Sequence, residues 1–366
     1  MKRMAVLTSG GDAPGMNAAI RSVVRIGINA GWEVLGIQHG YAGLIADNVV
    51  PLGARAVSGI IQQGGTILGS ARCPEFKTEA ARLFALRVLR KHEIETVVII
   101  GGNGSQIGAY ALSQLDFPVI GVASTIDNDL YGSDITIGVD TALNIALEAI
   151  DRLKTTASSH QRAFLIEIMG RHCGYLALMA AIAGGAEAVL LPEVDTEPEA
   201  LAKELHEAYL RGKPHALVVV AEGAKFVEDP QTQAGQPSVN PLKASLSPLA
   251  TGDSGDHVIR RSGQAAETVA SRLQLLVAQE TFPLVVGLWA RGGVPTAVDR
   301  QLGLGYGAGA IRALKAGKNG VMVAFVPPDI KFVPLTEAIN KVRTVPVDSE
   351  FVKIAQSLGI CLGREL

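Results

Sequence analysis

Two short stretches of this chain hold residue types at spacings that can do chemistry on a phosphate. The apolar, β-rich run Thr96-Val97-Val98-Ile99-Ile100 empties into Gly101-Gly102-Asn103-Gly104-Ser105. A second apolar run, Pro118 to Val122, empties into Thr125-Ile126-Asp127-Asn128-Asp129, with two carboxylates at i and i+2. A glycine turn that opens a helix offers backbone N–H groups to a phosphate. A carboxylate beside it can act as base or acid on a hydroxyl. The pattern points to a phosphate crevice with Asp127 aimed at a hydroxyl and Thr125 as its hydrogen-bonding neighbour.

Each feature also has a plainer reading. Gly10-Gly11, Gly64-Gly65 and Gly101-Gly102-x-Gly104 could be tight turns that need positive φ. Asp127 and Asp129 could be turn formers or caps. Three glycine turns expected at strand ends in one chain favour phosphate binding. No G-x-x-x-x-G-K-[ST] occurs, which excludes a P-loop. Gly102-x-Gly104-x-x-x-Gly108 misses the dinucleotide fingerprint by one residue, so a Rossmann dehydrogenase stays open on these residues alone. Arg72, Arg162, Arg171 and Arg291 each flank a glycine loop or strand end, and gathered at one crevice they would suit a phosphorylated ligand. His172, in a short turn, reads as structural.

The elements that must position these residues alternate strand, glycine turn, helix. Met4–Leu7, Val34–Ile37, Phe164–Met169, Ala188–Leu191, Ala216–Ala221, Leu284–Trp289 and Val321–Val326 read as strands. Met16–Ala30, Asp140–Lys154, Tyr175–Ile182, Gln264–Ala278 and Asp348–Leu358 read as helices, the last with Phe351, Ile354 and Leu358 on one face. Thr196 with Glu199 predicts a capping box for a helix running to Leu210. Continuous apolar strands alternating with helices imply an α/β fold with mostly parallel sheets, and ligand crevices at their carboxyl ends. From about 225 to 261, four prolines among Ser, Gly and Gln predict a long irregular loop.

The chain has 366 residues, 48% hydrophobic and 19% charged, which suits two domains and a large interior. A net charge of −2 gives no reason to expect nucleic acid or an acidic membrane surface. Cys73, Cys173 and Cys361 are odd in number and widely spaced, which argues for a reducing compartment and against disulfides or a zinc site. No apolar run is long enough for a membrane span. Met1-Lys2-Arg3 leads directly into a strand, so no signal peptide is expected, and the expected location is cytoplasmic.

The chain resembles the ATP-dependent 6-phosphofructokinase family over almost its whole length. The motifs that carry the resemblance begin with Leu7-Thr8-Ser9-Gly10-Gly11-Asp12-Ala13-Pro14-Gly15-Met16-Asn17. Gly64-Gly65-Thr66-Ile67-Leu68-Gly69-Ser70-Ala71-Arg72, Thr125 to Asp129 and Ser158-Ser159-His160-Gln161-Arg162 follow. Met169-Gly170-Arg171, then Arg291-Gly292-Gly293 with Pro295 and Asp299-Arg300, complete them.

The resemblance implies two Rossmann-like three-layer domains with the active site in the cleft between them. Residues 1–138 plus about 290–347 would bind nucleotide, and 139–289 plus 348–366 sugar phosphate. It implies transfer of the ATP γ-phosphoryl group to the 1-hydroxyl of fructose 6-phosphate in glycolysis, with Mg²⁺, by a homotetramer under allosteric control. Asp127 matches the catalytic base, and Thr125 and Asp129 its neighbours around hydroxyl and metal. Arg171 matches the residue that steadies the transferring phosphoryl. Gly11, Tyr41, Arg72, Cys73, Gly102, Asn103, Gly104 and Ser105 match nucleotide positions. Arg162, Met169, Gly170, Glu222 and Arg291 match sugar-phosphate contacts. Arg21, Arg25, Lys154, Glu187, Arg211, Lys213 and His215 match a site for ADP or phosphoenolpyruvate. Gly104 matches ATP users, since pyrophosphate users carry an aspartate there. Ser124 stands where ATP users have glycine and pyrophosphate users lysine.

The chain departs from the family pattern at several positions. Asn103 replaces an aspartate that helps bind Mg²⁺, which keeps an oxygen ligand but loses a charge. Leu288 stands where the family has a sugar-phosphate histidine, and Phe282 where it has an arginine that reaches into the adjacent subunit. Each charge-assisted bond lost costs on the order of 1.5–3 kcal/mol. Lys154 replaces an arginine, and Ala54 stands where another is common. These departures keep two alternatives open: a regulatory or nucleotide-binding paralogue that assembles with an active partner, and a kinase for another sugar phosphate.

Overall fold

The computed structural model describes residues 2–213, 215–227, 264–277 and 280–364. Its strands are β1 (Arg3–Ser9), β2 (Glu33–Ile37), β3 (Val49–Pro51), β4 (Thr96–Gly101), β5 (Val119–Ala123), β6 (Ala163–Ile168), β7 (Ala188–Leu190), β8 (Ala216–Ala221), β9 (Thr281–Val285), β10 (Val321–Val326) and β11 (Asp329–Pro334). Its helices are α1 (Met16–Asn29), α2 (Gly40–Ile45), α3 (Glu79–Lys91), α4 (Asn103–Ser113), α5 (Val139–His160), α6 (Tyr175–Gly184), α7 (Pro198–Leu210), α8 (Gln264–Leu273), α9 (Ala297–Lys315), α10 (Leu335–Asn340) and α11 (Glu350–Ser357).

Two compact units result, one of residues 1–149 and 288–345, the other of 150–287 and 346–366, with the first division inside α5. The first unit holds a seven-stranded sheet in the order β11-β10-β5-β4-β1-β2-β3. Its inner pairs are parallel, while the edge pairs β2–β3 and β10–β11 are antiparallel. β4 and β5 are buried along their whole length, as continuous apolar runs in a covered sheet should be. α1 and α9 pack closely, because Gly303 and Gly307 bring the α9 backbone against Ala18, Ala19 and Ser22. The second unit holds a four-stranded, all-parallel sheet in the order β7-β8-β6-β9. Its core gathers Leu165, Leu190, Leu201, Leu205, Val218, Val220, Val269 and Leu273.

Several expectations need correction. α7 starts after Glu197, which makes no side-chain cap, so the Thr196–Glu199 capping box does not form. Pro198 in the first turn moves the helix start onward, and Thr196 pairs by its backbone with Lys225 and Val227 instead. The strand predicted over Leu284–Trp289 begins earlier, as β9, and ends at Val285; Gly287–Arg291 is a 3-10 turn. α8 stops at Leu273 rather than Ala278. α11 buries Val352 and Ala355, while Phe351, Ile354 and Leu358 face outward. The loop predicted at about 225–261 lies outside the described residues from 228 onward.

Candidate active site

In the first sheet β1 lies between β4 and β2, and later strands are added outward in both directions. The loops that leave β1 and β4 therefore diverge, which opens the crevice where α/β sheets bind ligands. The register brings the relevant ends level, with Ser9 beside Gly101 and Gly101 beside Ala123. The β1 glycine turn, the start of α4 and the acidic loop after β5 thus stand side by side. Gly64-Gly65 does not follow a strand; it lies in the irregular connection between β3 and Pro74, with Gly64 packed on the Gly293 carbonyl.

Buried polar side chains lock these three ends together. Ser105 Oγ donates to Ser9 O at 2.9 Å, tying α4 to the end of β1. Gln106 Nε2 donates to Gly101 O and Val122 O at 2.9 and 3.1 Å, tying α4 to β4 and β5. Tyr41 donates its hydroxyl to Ser105 O at 2.6 Å and stacks on Phe76 with centroids 4.1 Å apart. Only 4% of Tyr41 and 3% of Ser105 is exposed, so both brace the turn at the start of α4 from behind. Burial also pushes the Tyr41 hydroxyl pKa up, keeping it a donor. Gly104 is exposed, and a Cβ built on it meets open space.

The acidic loop is organised by the residue between its carboxylates. Asn128 sits in the left-handed region at φ 53 and is fully buried. Its Nδ2 donates to Asp134 O at 3.1 Å, and its Oδ1 accepts from Thr136 Oγ1 at 3.3 Å. Thr136 Oγ1 also lies 2.5 Å from Thr125 O. With Asn128 turned inward, Asp127 and Asp129 flank it, both partly buried. Asp127 N donates to Thr125 Oγ1 at 3.3 Å. Burial first, and the Asp127 charge second, raise the Asp129 pKa from 3.8 to about 6. Asn103 Nδ2 points at Asp129 O at 3.5 Å, so the residue at the start of α4 meets the acidic loop.

Arg291 joins the same group, since its Nη1 donates to Asp12 O at 3.1 Å and its guanidinium covers Gly11. Arg72 is exposed, and Cys73 Sγ donates to Glu75 at 3.6 Å. Sequence reading missed Asn128, Thr136, Gln106 and the wedge role of Gly108, whose Cβ would strike the Tyr41 ring at 2.6 Å. A polar residue inside an apolar stretch, such as Gln106, was the available signal.

In the second unit the carboxyl ends of β6 and β8 carry the remaining candidates. Glu222 N donates to Ile168 O at 2.9 Å, and Gly223 N to Gly170 O at 3.2 Å. Gly170 has φ 143, and Gly223 lies directly on Arg171 O, a packing that excludes larger residues from both. Arg171 Nε stands 3.9 Å from Glu222 Oε1, with Met169 buried beside them. Glu193 accepts from Gly174 N at 2.9 and 3.1 Å and closes the loop onto α6. Arg162 does not join this group: it precedes β6, whereas Arg171 follows it, so a whole strand separates the two.

The sequence profile of the family described as Phosphofructokinase matches residues 3–314. The chain belongs to the phosphofructokinase family. It is 44% identical over 360 residues to the ATP-dependent 6-phosphofructokinase of Thermotoga neapolitana, with 98% of this chain and 100% of the relative covered. It is 45% identical over 361 residues to ATP-dependent 6-phosphofructokinase 1 of Thermus thermophilus, with the same coverage. The solved phosphofructokinase of Saccharomyces cerevisiae superposes with a TM-score of 0.80 at 29% identity; the match covers 98% of this chain and 50% of that longer one.

Other positions singled out from the phosphofructokinase pattern take distinct places. Glu187 pairs with Lys213 and accepts from Leu217 N at 2.6 Å. Arg211 pairs with Glu204 at 2.7 Å, Lys154 Nζ approaches Gly185, and His215 Nδ1 is buried with no hydrogen-bond partner among the described residues. In the first unit, Arg21 donates to Val57 O at 2.5 Å and Arg25 is exposed. Leu288 is 72% exposed. Among the described residues Asp129 Oδ1 is buried and has no hydrogen-bond partner, so one oxygen of that carboxylate is left for a cation. Among the described residues no group of three or more His, Cys, Asp or Glu could hold a metal. An ion here would rely on substrate phosphates and water for most ligands, as Mg²⁺ commonly does. Among the described residues no helix is long and apolar enough to cross a membrane.

Proposed function

We propose that the chain transfers the γ-phosphoryl group of ATP to the 1-hydroxyl of fructose 6-phosphate, giving fructose 1,6-bisphosphate and ADP. The observation that carries the reading is the placement of the Asp127 loop beside the glycine turns at the ends of β1 and β4. The names of the full-length relatives support the donor and the acceptor. Backbone N–H groups at Gly102, Asn103 and Gly104 cradle the nucleotide phosphates. The open space at Gly104 leaves room for a nucleotide.

Asp127 accepts the proton of the 1-hydroxyl as its oxygen bonds to the γ-phosphorus and the bond to the ADP oxygen breaks. Thr125 keeps that loop in shape through Asp127 N. Asp129 and the side-chain oxygen of Asn103 would hold Mg²⁺, which when bound neutralises phosphate charge. Arg171 steadies the transferring phosphoryl, and Gly11, Arg72 and Cys73 take the nucleotide. Met169, Gly170, Glu222, Arg291 and Arg162 take the sugar phosphate. Arg162 and Arg171 lie at opposite ends of β6, so this reading assigns Arg162 to the site of a second copy of the chain, within a homotetramer. Regulation by ADP or phosphoenolpyruvate at Arg21, Arg25, Lys154, Glu187, Arg211, Lys213 and His215 belongs to the same proposal.

The test is ADP release by the purified protein, with fructose 6-phosphate and Mg²⁺ supplied or withheld. Turnover should require both, and Asp127→Asn should lower kcat at least a hundredfold with the fold intact. Absence of ADP release with fructose 6-phosphate would overturn the reading.

A further inference from the structure

We infer that Glu280 and Phe282 hold the guanidinium of Arg162 within the chain and thereby set the affinity for the acceptor's phosphate. The inference rests on the function proposed above and adds a specificity device to it. β9 pairs with β6 so that Ala163 faces Thr281 and Phe164 faces Phe282. The residues just before the two strands, Arg162 and Glu280, are thereby brought side by side, and Ala163 N donates to Glu280 O at 3.1 Å. Arg162 Nη2 reaches Glu280 Oε2 at 3.0 Å. The Arg162 guanidinium carbon also lies 4.7 Å from the centroid of the Phe282 ring. Phe282 is in turn braced by Phe164, with ring centroids 5.7 Å apart.

An arginine that receives a phosphate must offer its N–H groups and its charge to that anion. Here a carboxylate already occupies part of the fork, and an aromatic face covers the planar cation. A sugar phosphate arriving at Arg162 competes with Glu280 for the same donors. The side chains of Arg162 and Glu280 remain 37% and 57% exposed, so the pair can open without disrupting the core. Phe282 makes the clamp one-sided: it supplies the ring and brings no second cation to the anion.

Glu280→Gln keeps the side chain's shape and removes its charge, and Phe282→Leu removes the ring face but keeps an apolar side chain on β9. In steady-state assays each should lower the KM for fructose 6-phosphate about two- to fivefold, the scale of a partly exposed ion pair or cation–π contact. kcat and the KM for ATP should not change. Calorimetric titration with fructose 6-phosphate without nucleotide should show the same gain, and fructose should show none. The gain should vanish in Arg162→Ala/Glu280→Gln. Normal turnover with KM and Kd unchanged or raised in Glu280→Gln would overturn the clamp. So would a gain that survives loss of Arg162, or no detectable fructose 6-phosphate binding by either form. Tighter binding without turnover in any form would uphold the clamp and overturn the proposed reaction instead.

Discussion

The guanidinium of Arg291 lies directly over Gly11, so that a Cβ at Gly11 would come within 2.5 Å of Arg291 Nη1. Two residues 280 positions apart in sequence thus form one surface, held by the Arg291 bond to Asp12 O. Glycine is needed at position 11 because a cation occupies the space a side chain would take.

Gly11→Ala should therefore push the Arg291 guanidinium aside with little loss of stability, since the displaced atoms end a flexible chain. The KM for fructose 6-phosphate should rise about tenfold or more, the scale of one charge-assisted hydrogen bond. Thermal melting should change little. Gly64→Ala is the contrast: its Cβ would strike the Gly293 backbone carbonyl, which cannot swing away, and the melting temperature should fall. Paired kinetics and melting curves check both.

Asp129 gives the apo protein a pH-dependent stability. Its folded pKa, about 6, exceeds the ordinary 3.8, so the folded state retains a proton that the unfolded chain releases. The Asp129 contribution is then fully present below about pH 4, fades as pH rises through about 6, and is lost above it, a change on the order of 3 kcal/mol. Asp129→Asn should remove this part of the slope. Urea unfolding of both forms at pH 4.5 and 7.5 provides the comparison, and equal slopes would refute the assignment.

Asn103→Asp should restore a third negative charge beside Asp127 and Asp129. Mg²⁺ binding in the presence of ADP, followed by calorimetry, should tighten about tenfold, because Mg²⁺ prefers carboxylate oxygen. Without Mg²⁺ the same variant should melt earlier at neutral pH than the wild type, since the added charge is then uncompensated.

Tyr41→Phe should cost about 1 kcal/mol in urea unfolding, because it leaves the buried Ser105 carbonyl without its donor. Gly108→Ala should cost about 1–3 kcal/mol by pressing on the hydroxyl end of the Tyr41 ring. If Tyr41 touched the nucleotide directly, Tyr41→Phe would change the KM for ATP more than stability; the buried position predicts the reverse.

Much of the fold was legible because it depends on short-range patterns. The apolar runs of β4, β5, β8 and β10 and the glycine turn before α4 are each readable within a few residues. The misplaced elements had the weakest local signals. The region of β9 mixes apolar residues with Pro283 and Gly287, and its true end depends on pairing with β6. Thr196 carries a capping pattern that lost to backbone pairing with Lys225 and Val227.

By itself, the sequence determined the α/β class, the phosphofructokinase family and the chemical identity of the acidic loop, because hydrophobic period and motif composition are local properties. Only the tertiary structure decided which of those residues are buried and which stand together. Strand order sets Asp127 beside the β1 and β4 turns, and sends Arg162 and Arg171 to opposite ends of β6. Burial turns Tyr41 and Ser105 into supports for the turn. Pairing of β6 with β9 gives Arg162 to Glu280 and Phe282. Those outcomes depend on register and packing between segments far apart in the chain, and no local spacing encodes them.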